Sequence, residues 1–153
     1  YLDEAAAKAM KASGTVLVPT LMALEGVSEG LGKGVYTPVV EEKIRAVQPL
    51  MNSLVSRARQ FGVTVAFGTD AGVYQHGRNA EELGLMKKQG MSDREVLASA
   101  TTVAAKVLGM ESQIGRLAPG YSADIIAVEG NPLADVTVLE KVDFVMVRGR
   151  VIE

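Results

Sequence analysis

The chain contains no cysteine, which removes disulfides, thiolate metal ligands and cysteine nucleophiles without fixing a compartment. Histidine is almost as scarce, with His76 the only one. Ser99, Thr101 and Thr102 therefore have no imidazole base in reach by sequence, and a serine-nucleophile reading gains no support. Net charge is −2 and no basic cluster exceeds Lys87-Lys88, so the electrostatic footprint of a nucleic-acid partner is missing. No apolar run approaches the ~20 residues of a membrane span, and no signal-peptide pattern opens the chain. The G-x-G-x-x-G fingerprint and the P-loop lysine are absent too. A nucleotide- or phosphate-binding α/β domain using Gly68 to Gly72 is thus the weakest of the readings considered.

What remains is a 153-residue chain, 48% hydrophobic, long enough for one domain with a core. It opens on Tyr1 rather than Met, so a processed or incompletely represented protein is expected. The most informative stretch is Phe61 to Gly72. Val63, Val65 and Phe67 alternate with Thr64 and Ala66 as in a short strand, and Asp70 follows between Gly68 and Gly72. A carboxylate at the carboxyl end of a buried strand is where α/β enzymes place their chemistry. A turn or capping aspartate is the competing reading, since Asp and Gly dominate turns.

Helices and strands alternate through the first two thirds. Leu2 to Ser13 carries a helical apolar face closed by Gly14. Thr15 to Thr20 reads as a buried strand with Pro19 at its end. Four glycines between 25 and 34 read as a flexible loop, with disorder favoured over a lid closing on substrate. Thr37-Pro38 opens a helix that Pro49 should kink or divide. Asn79 with Glu82 resembles a capping box, as does Ser92 with Glu95, whose helix should run through Leu108. Met10, Met51 and Met86 sit at apolar helical positions and are expected to fill core. From Ile114 short β-prone runs at 124–128, 144–147 and 151 onward suggest a small β-rich appendage. Two parallel strands make no stable sheet alone, so the sequence looks like the end of something larger.

The order of motifs resembles the carboxyl-terminal part of the amidohydrolase superfamily, nearest its imidazolonepropionase-like and Xaa-Pro dipeptidase (prolidase-like) members. The resemblance is carried by Asp3-Glu-Ala with Gly14-Thr-Val-Leu-Val-Pro-Thr-Leu21, Phe67-Gly-Thr-Asp-Ala-Gly72, and His76-Gly77 with Asn79 and Glu82-Leu83. Gly90-Met91, Ala98-Ser-Ala-Thr101 to Leu108-Gly109, and Ile114-Gly-Arg-Leu-Ala-Pro-Gly120 with Ala123-Asp124 complete it. It implies an α/β fold: the carboxyl-terminal part of a TIM-barrel (β/α)8 metal-dependent hydrolase over 1–110, with strands seven and eight at 15–20 and 63–68. Residues 111–153 would be the returning part of a small β-sandwich.

By that resemblance Asp70 would be both a metal ligand and the catalytic base, taking a proton from the attacking water and relaying it to the leaving nitrogen. His76 and Arg78 would be substrate-binding, against the alternatives of a structural loop contact and a solvated loop charge; Arg78 could fork onto a substrate carboxylate. Asn79 reads first as a cap. The cofactor would be a divalent metal, zinc with one or two ions, in the complete enzyme; this chain alone is expected to be inactive, and whether it binds metal by itself is left open. The family's remaining ligands, a His-x-His pair, a carboxylated lysine and two further histidines, would lie upstream of Tyr1. The expected substrate is a small-molecule amide or dipeptide, and the expected partner is an amino-terminal barrel portion on the same or another chain. Neither nucleic acid nor membrane is expected, and a homo-oligomer is allowed. A cytoplasmic location is expected, left open because any leader would precede Tyr1. The alternative is a non-catalytic fragment or assembly module that pairs its open sheet edge with another chain.

Overall fold

Leu17 and Val65 lie side by side in a parallel bridge, with Leu17 N–H donating to the Thr64 carbonyl and Ala66 N–H to the Leu17 carbonyl, each at 2.9 Å. The computed structural model describes Leu2 to Ile152. Tyr1 and Glu153, the outer ends of the regions expected at 1–110 and 111–153, lie outside the described residues. Helices α1 (Glu4–Ser13), α2 (Leu21–Ser28), α3 (Pro38–Met51), α4 (Leu54–Gln60), α5 (Glu81–Lys88), α6 (Asp93–Ala100) and α7 (Thr102–Val107) come first. Strands β1 (Ile125–Ala127), β2 (Phe144–Val147) and β3 (Arg150–Ile152) close the chain, with a 3-10 turn at Val136–Glu140 between β1 and β2.

The two expected strands are therefore shorter than their sequences suggested. Pro19 has no N–H to extend the ladder, and Phe67 N–H donates instead to the Ser99 carbonyl at 3.1 Å. Ser99 is free to accept because the helix expected through Leu108 breaks at Thr101, whose ψ is −90°. Thr101 Oγ1 donates to the Leu97 carbonyl at 2.7 Å, the back-bonding that bends helices. The break thus ties the segment leading to Asp70 to α6.

The glycine-rich loop is also corrected. Most of its first half is helix α2, and two of its glycines answer to close packing. A Cβ on Gly26 would lie 2.5 Å from Tyr74 Cβ, and one on Gly30 would lie 2.6 Å from the Tyr36 ring. Other local signals act as read. Asp3 accepts from Ala6 N–H at the start of α1, and Gly14 ends it with φ +70°. The Ser92–Glu95 capping box forms in full. The helix containing Pro49 ends at Met51, and α4 starts three residues later.

Ala7, Val55, Val63, Met86 and Val96 join one buried cluster. Met86 is fully enclosed, while Met10 and Met51 are only partly covered against that cluster. Val136, from the 3-10 turn, is buried in the same cluster, and its N–H donates to Asp93 at 2.7 Å. The carboxyl-terminal region is therefore anchored to α6. Strands β1, β2 and β3 form an antiparallel sheet in that order. Ile126, Val145 and Ile152 align on one face, with Ile125, Met146 and Val151 on the other. No helix among the described residues is long and apolar enough to cross a membrane.

Met86→Ala should destabilise the fold by about 2–5 kcal/mol, the range for emptying a well-packed core site. Val39→Ala in α3, at a side chain 61% exposed, should change stability by less than about 0.5 kcal/mol. Urea unfolding of the two variants measures the contrast.

Candidate functional site

Both paired segments run to the same end and turn there through the left-handed region. Thr20, three residues beyond the bridge, has φ +46°, and Asp70, five residues beyond it, has φ +50°. Aspartate tolerates this conformation, whereas a β-branched threonine in it is an outlier. Gly68 lets the segments close up at this end, because any Cβ there would overlap Val18. The Asp70 carboxylate is exposed, and no hydrogen bond among the described residues engages it. Its carbonyl accepts from Val73 N–H at 3.1 Å, which closes the turn.

The Asn79–Glu82 capping box does not form. Helix α5 begins after Ala80 with no side-chain cap, and Glu82 points across the molecule instead. Its two carboxylate oxygens accept from Leu21 N–H at 3.0 Å and Met22 N–H at 2.7 Å. Those amides open α2, whose preceding residue Thr20 supplies no side-chain cap of its own. Glu82 is fully buried. Burial pushes its carboxyl up to about 7, the two amide donors pull it down, and the nearby Asp70 charge adds to the rise. One sequence signal pointed to this: Glu82 stands four residues before Met86, on the inward face of α5.

His76 is exposed in the loop after Asp70. Arg78 is committed within the protein. Its Nε and Nη2 donate to Glu81 at 2.8 Å each, and its Nη1 donates to Glu29 at 2.7 Å. These carboxylates raise its already high pKa further. Tyr74 is buried against Gly26, and its hydroxyl has no hydrogen-bond partner among the described residues. Sequence reasoning missed Thr20, Glu29, Tyr74 and the direction of Glu82, because each acts through a long-range partner.

An apolar cleft of about 620 Å³, lined by Leu83, Leu97, Ile114, Ile126 and Val142 among others, separates the helices from the sheet, and Asp70 is not part of its wall. Among the described residues no three His, Asp or Glu side chains converge as a metal cluster. Asp70 nevertheless fits a divalent cation as one donor: a hard, exposed carboxylate, unengaged by neighbours, on a backbone fixed at a segment end.

The Amidohydrolase family model matches residues 1–152. The ochratoxinase of Aspergillus niger is 34% identical over 146 residues, covering 92% of this chain and 29% of the fungal protein. A Xaa-Pro dipeptidase crystallised with methionine in its active site superposes with a TM-score of 0.93 at 38% identity, over 99% of this chain and 38% of that one. A prolidase complexed with N-methylphosphonate-L-proline gives 0.87 at 31% identity, over 99% and 38%. The chain thus spans between 29% and 38% of the length of these relatives.

The raised Glu82 carboxyl carries a signed prediction. Between pH 4.5 and about 7 the folded protein holds a proton that the unfolded chain releases, so stability should fall as pH rises through that window. Glu95, held down at about 2 by Ser92 and Arg59, acts below the window and leaves the sign intact. Denaturant unfolding across this range should show a decline in the wild type that Glu82→Gln abolishes.

Proposed function

This chain belongs to the amidohydrolase family, and from that premise we propose that it is part of a metal-dependent hydrolase of carbon–nitrogen bonds, with Asp70 as metal ligand and general base. The observation that carries the reading is the placement of Asp70: an exposed carboxylate, in the left-handed region, at the common end of a parallel pair. In this reading residues 1–110 are the closing portion of a TIM barrel and 111–153 part of a small β-sandwich. The remaining ligands come from polypeptide outside this sequence. The substrate class is an amide or dipeptide, with an Xaa-Pro dipeptide first among them, in keeping with the dipeptidase and prolidase neighbours.

A divalent cation, zinc by preference, would polarise the scissile carbonyl and make water nucleophilic near neutral pH. Asp70 would hold it. The Asp70 carboxylate would also accept the proton of the attacking water and deliver it to the amide nitrogen as the C–N bond breaks, so that the products leave as carboxylic acid and amine. His76, exposed in the turn that follows, would lie on the side from which substrate arrives in this reading. Arg78, forked onto Glu81 and linked to Glu29, would contribute to substrate binding by fixing that loop, and a substrate carboxylate would have to compete with both acids for it.

The alternative, a non-catalytic assembly module, has one observation in its favour. The bridged segments at 17 and 65 have no further strand beside them among the described residues, and such an edge invites pairing.

Asp70→Asn preserves shape and removes the base. In the complete enzyme, with a panel of Xaa-Pro dipeptides and N-acyl amino acids, it should lower kcat by about 10²–10⁴-fold, the worth of a positioned acid–base group, and should reduce bound metal. Unchanged turnover and metal content in the variant would overturn the role of Asp70, and a wild type with neither turnover nor bound metal would favour the assembly module.

A further inference from the structure

Helix α2 and the segment after Asp70 meet at three levels, and the partners on α2 lie along one face. At its first turn, Leu21 and Met22 donate to Glu82 at 3.0 and 2.7 Å. At mid-helix, Gly26 packs so closely on Tyr74 that a Cβ there would stand 2.5 Å from the tyrosine Cβ. At its end, Glu29 pairs with Arg78 at 2.7 Å. Met22, Gly26 and Glu29, the residue that caps the helix, follow the i, i+4, i+7 spacing of one helical face, and Leu21 adds its amide beside that of Met22. Their partners, Tyr74, Arg78 and Glu82, are four, eight and twelve residues beyond Asp70. The contact at Tyr74 falls immediately after Val73, whose N–H closes the Asp70 turn at 3.1 Å. At the other end of α2 stands Thr20, strained at φ +46° directly before the two amides that Glu82 holds.

We propose that α2 is a splint for the Asp70 turn, with Tyr74 and Glu82 as positioning residues that hold the catalytic carboxylate in its left-handed conformation. The proposal rests on the reading of Asp70 as ligand and base. Glu82 offsets the strain at Thr20 by satisfying the two amides that follow it, so α2 leaves the first paired segment in a fixed direction. Tyr74 then uses the fixed α2 backbone as an abutment. Glycine at 26 fits this role and is otherwise disfavoured, since alanine is the better residue inside a helix by about 1 kcal/mol. Tyr74 is 7% exposed and its hydroxyl makes no hydrogen bond among the described residues, so the ring and Cβ carry the contact.

Gly26→Ala tests the splint, because helix propensity alone predicts stabilisation while the overlap with Tyr74 predicts a displaced turn. In the metal-loaded complete enzyme the variant should lose about 100-fold in kcat with KM little changed, the effect of misplacing a catalytic group by about 1 Å. Amide exchange at Val73 should accelerate in parallel. Glu82→Gln should quicken exchange at Leu21, Met22 and Val73 together. Wild-type exchange needs no variant to fold: Leu21, Met22 and Val73 should open as one unit with matched protection. Free exchange at Val73 beside protected Leu21 and Met22 overturns the splint, as does unchanged kcat in a Gly26→Ala protein whose Val73 exchange has risen. A complete wild-type enzyme without amide hydrolysis, showing the matched exchange, overturns the functional reading and leaves the mechanical coupling standing.

Discussion

The arrangement depends on one buried carboxylate. Glu82 accepts from the first two amides of α2 with no solvent access, and removing it would strand both donors inside the protein. Each buried donor left unpaired would cost about 1–3 kcal/mol. The bond also joins positions sixty residues apart, so it fixes the end of the first paired segment relative to α5. Most of the α2 and α5 packing around Leu21, Leu83 and Met86 follows from that alignment.

Strain and support sit together at this end of the molecule. Thr20 and Asp70 are two of the three non-glycine residues with positive φ among the described residues, and they flank the common end of the parallel pair. Backbone strain persists only where surroundings over-determine it. Here the surroundings are identifiable: Glu82 on the two amides after Thr20, the Val73 N–H on the Asp70 carbonyl, and the Ser99 carbonyl holding Phe67 three residues before Asp70. The last bond exists because α6 breaks at Thr101. A feature that reads locally as a defective helix thus serves the segment that presents the carboxylate.

Local chemistry in the sequence was legible where it acts locally. The Asp3 cap, the Gly14 stop, the Ser92–Glu95 box and the three short strands all follow from neighbours a few residues apart. Family resemblance was legible as well, because ordered motifs run almost end to end and the family model covers residues 1–152. Most of the failures share one cause. Glu82 has the spacing of a capping box, and its burial on the Met86 face sends it to α2 instead. The glycines at 26 and 30 read as flexibility, whereas each makes room for a tyrosine. The strands at 15–20 and 63–68 were read from β-prone runs, whereas their length is set by Pro19, by the Ser99 carbonyl and by the absence of further strands beside them among the described residues. Long-range partners decided Glu82, Gly26 and the Phe67 end of the second segment, whereas Tyr36 is six residues from Gly30 and Pro19 lies inside its own segment.

The central claim is that Asp70 binds a metal, and anomalous diffraction from the zinc-loaded complete enzyme tests it most directly. The account predicts a zinc peak about 2.0–2.2 Å from a carboxylate oxygen of Asp70, the usual zinc–oxygen distance. Zinc seated elsewhere, with the Asp70 carboxylate free in solvent, would contradict it.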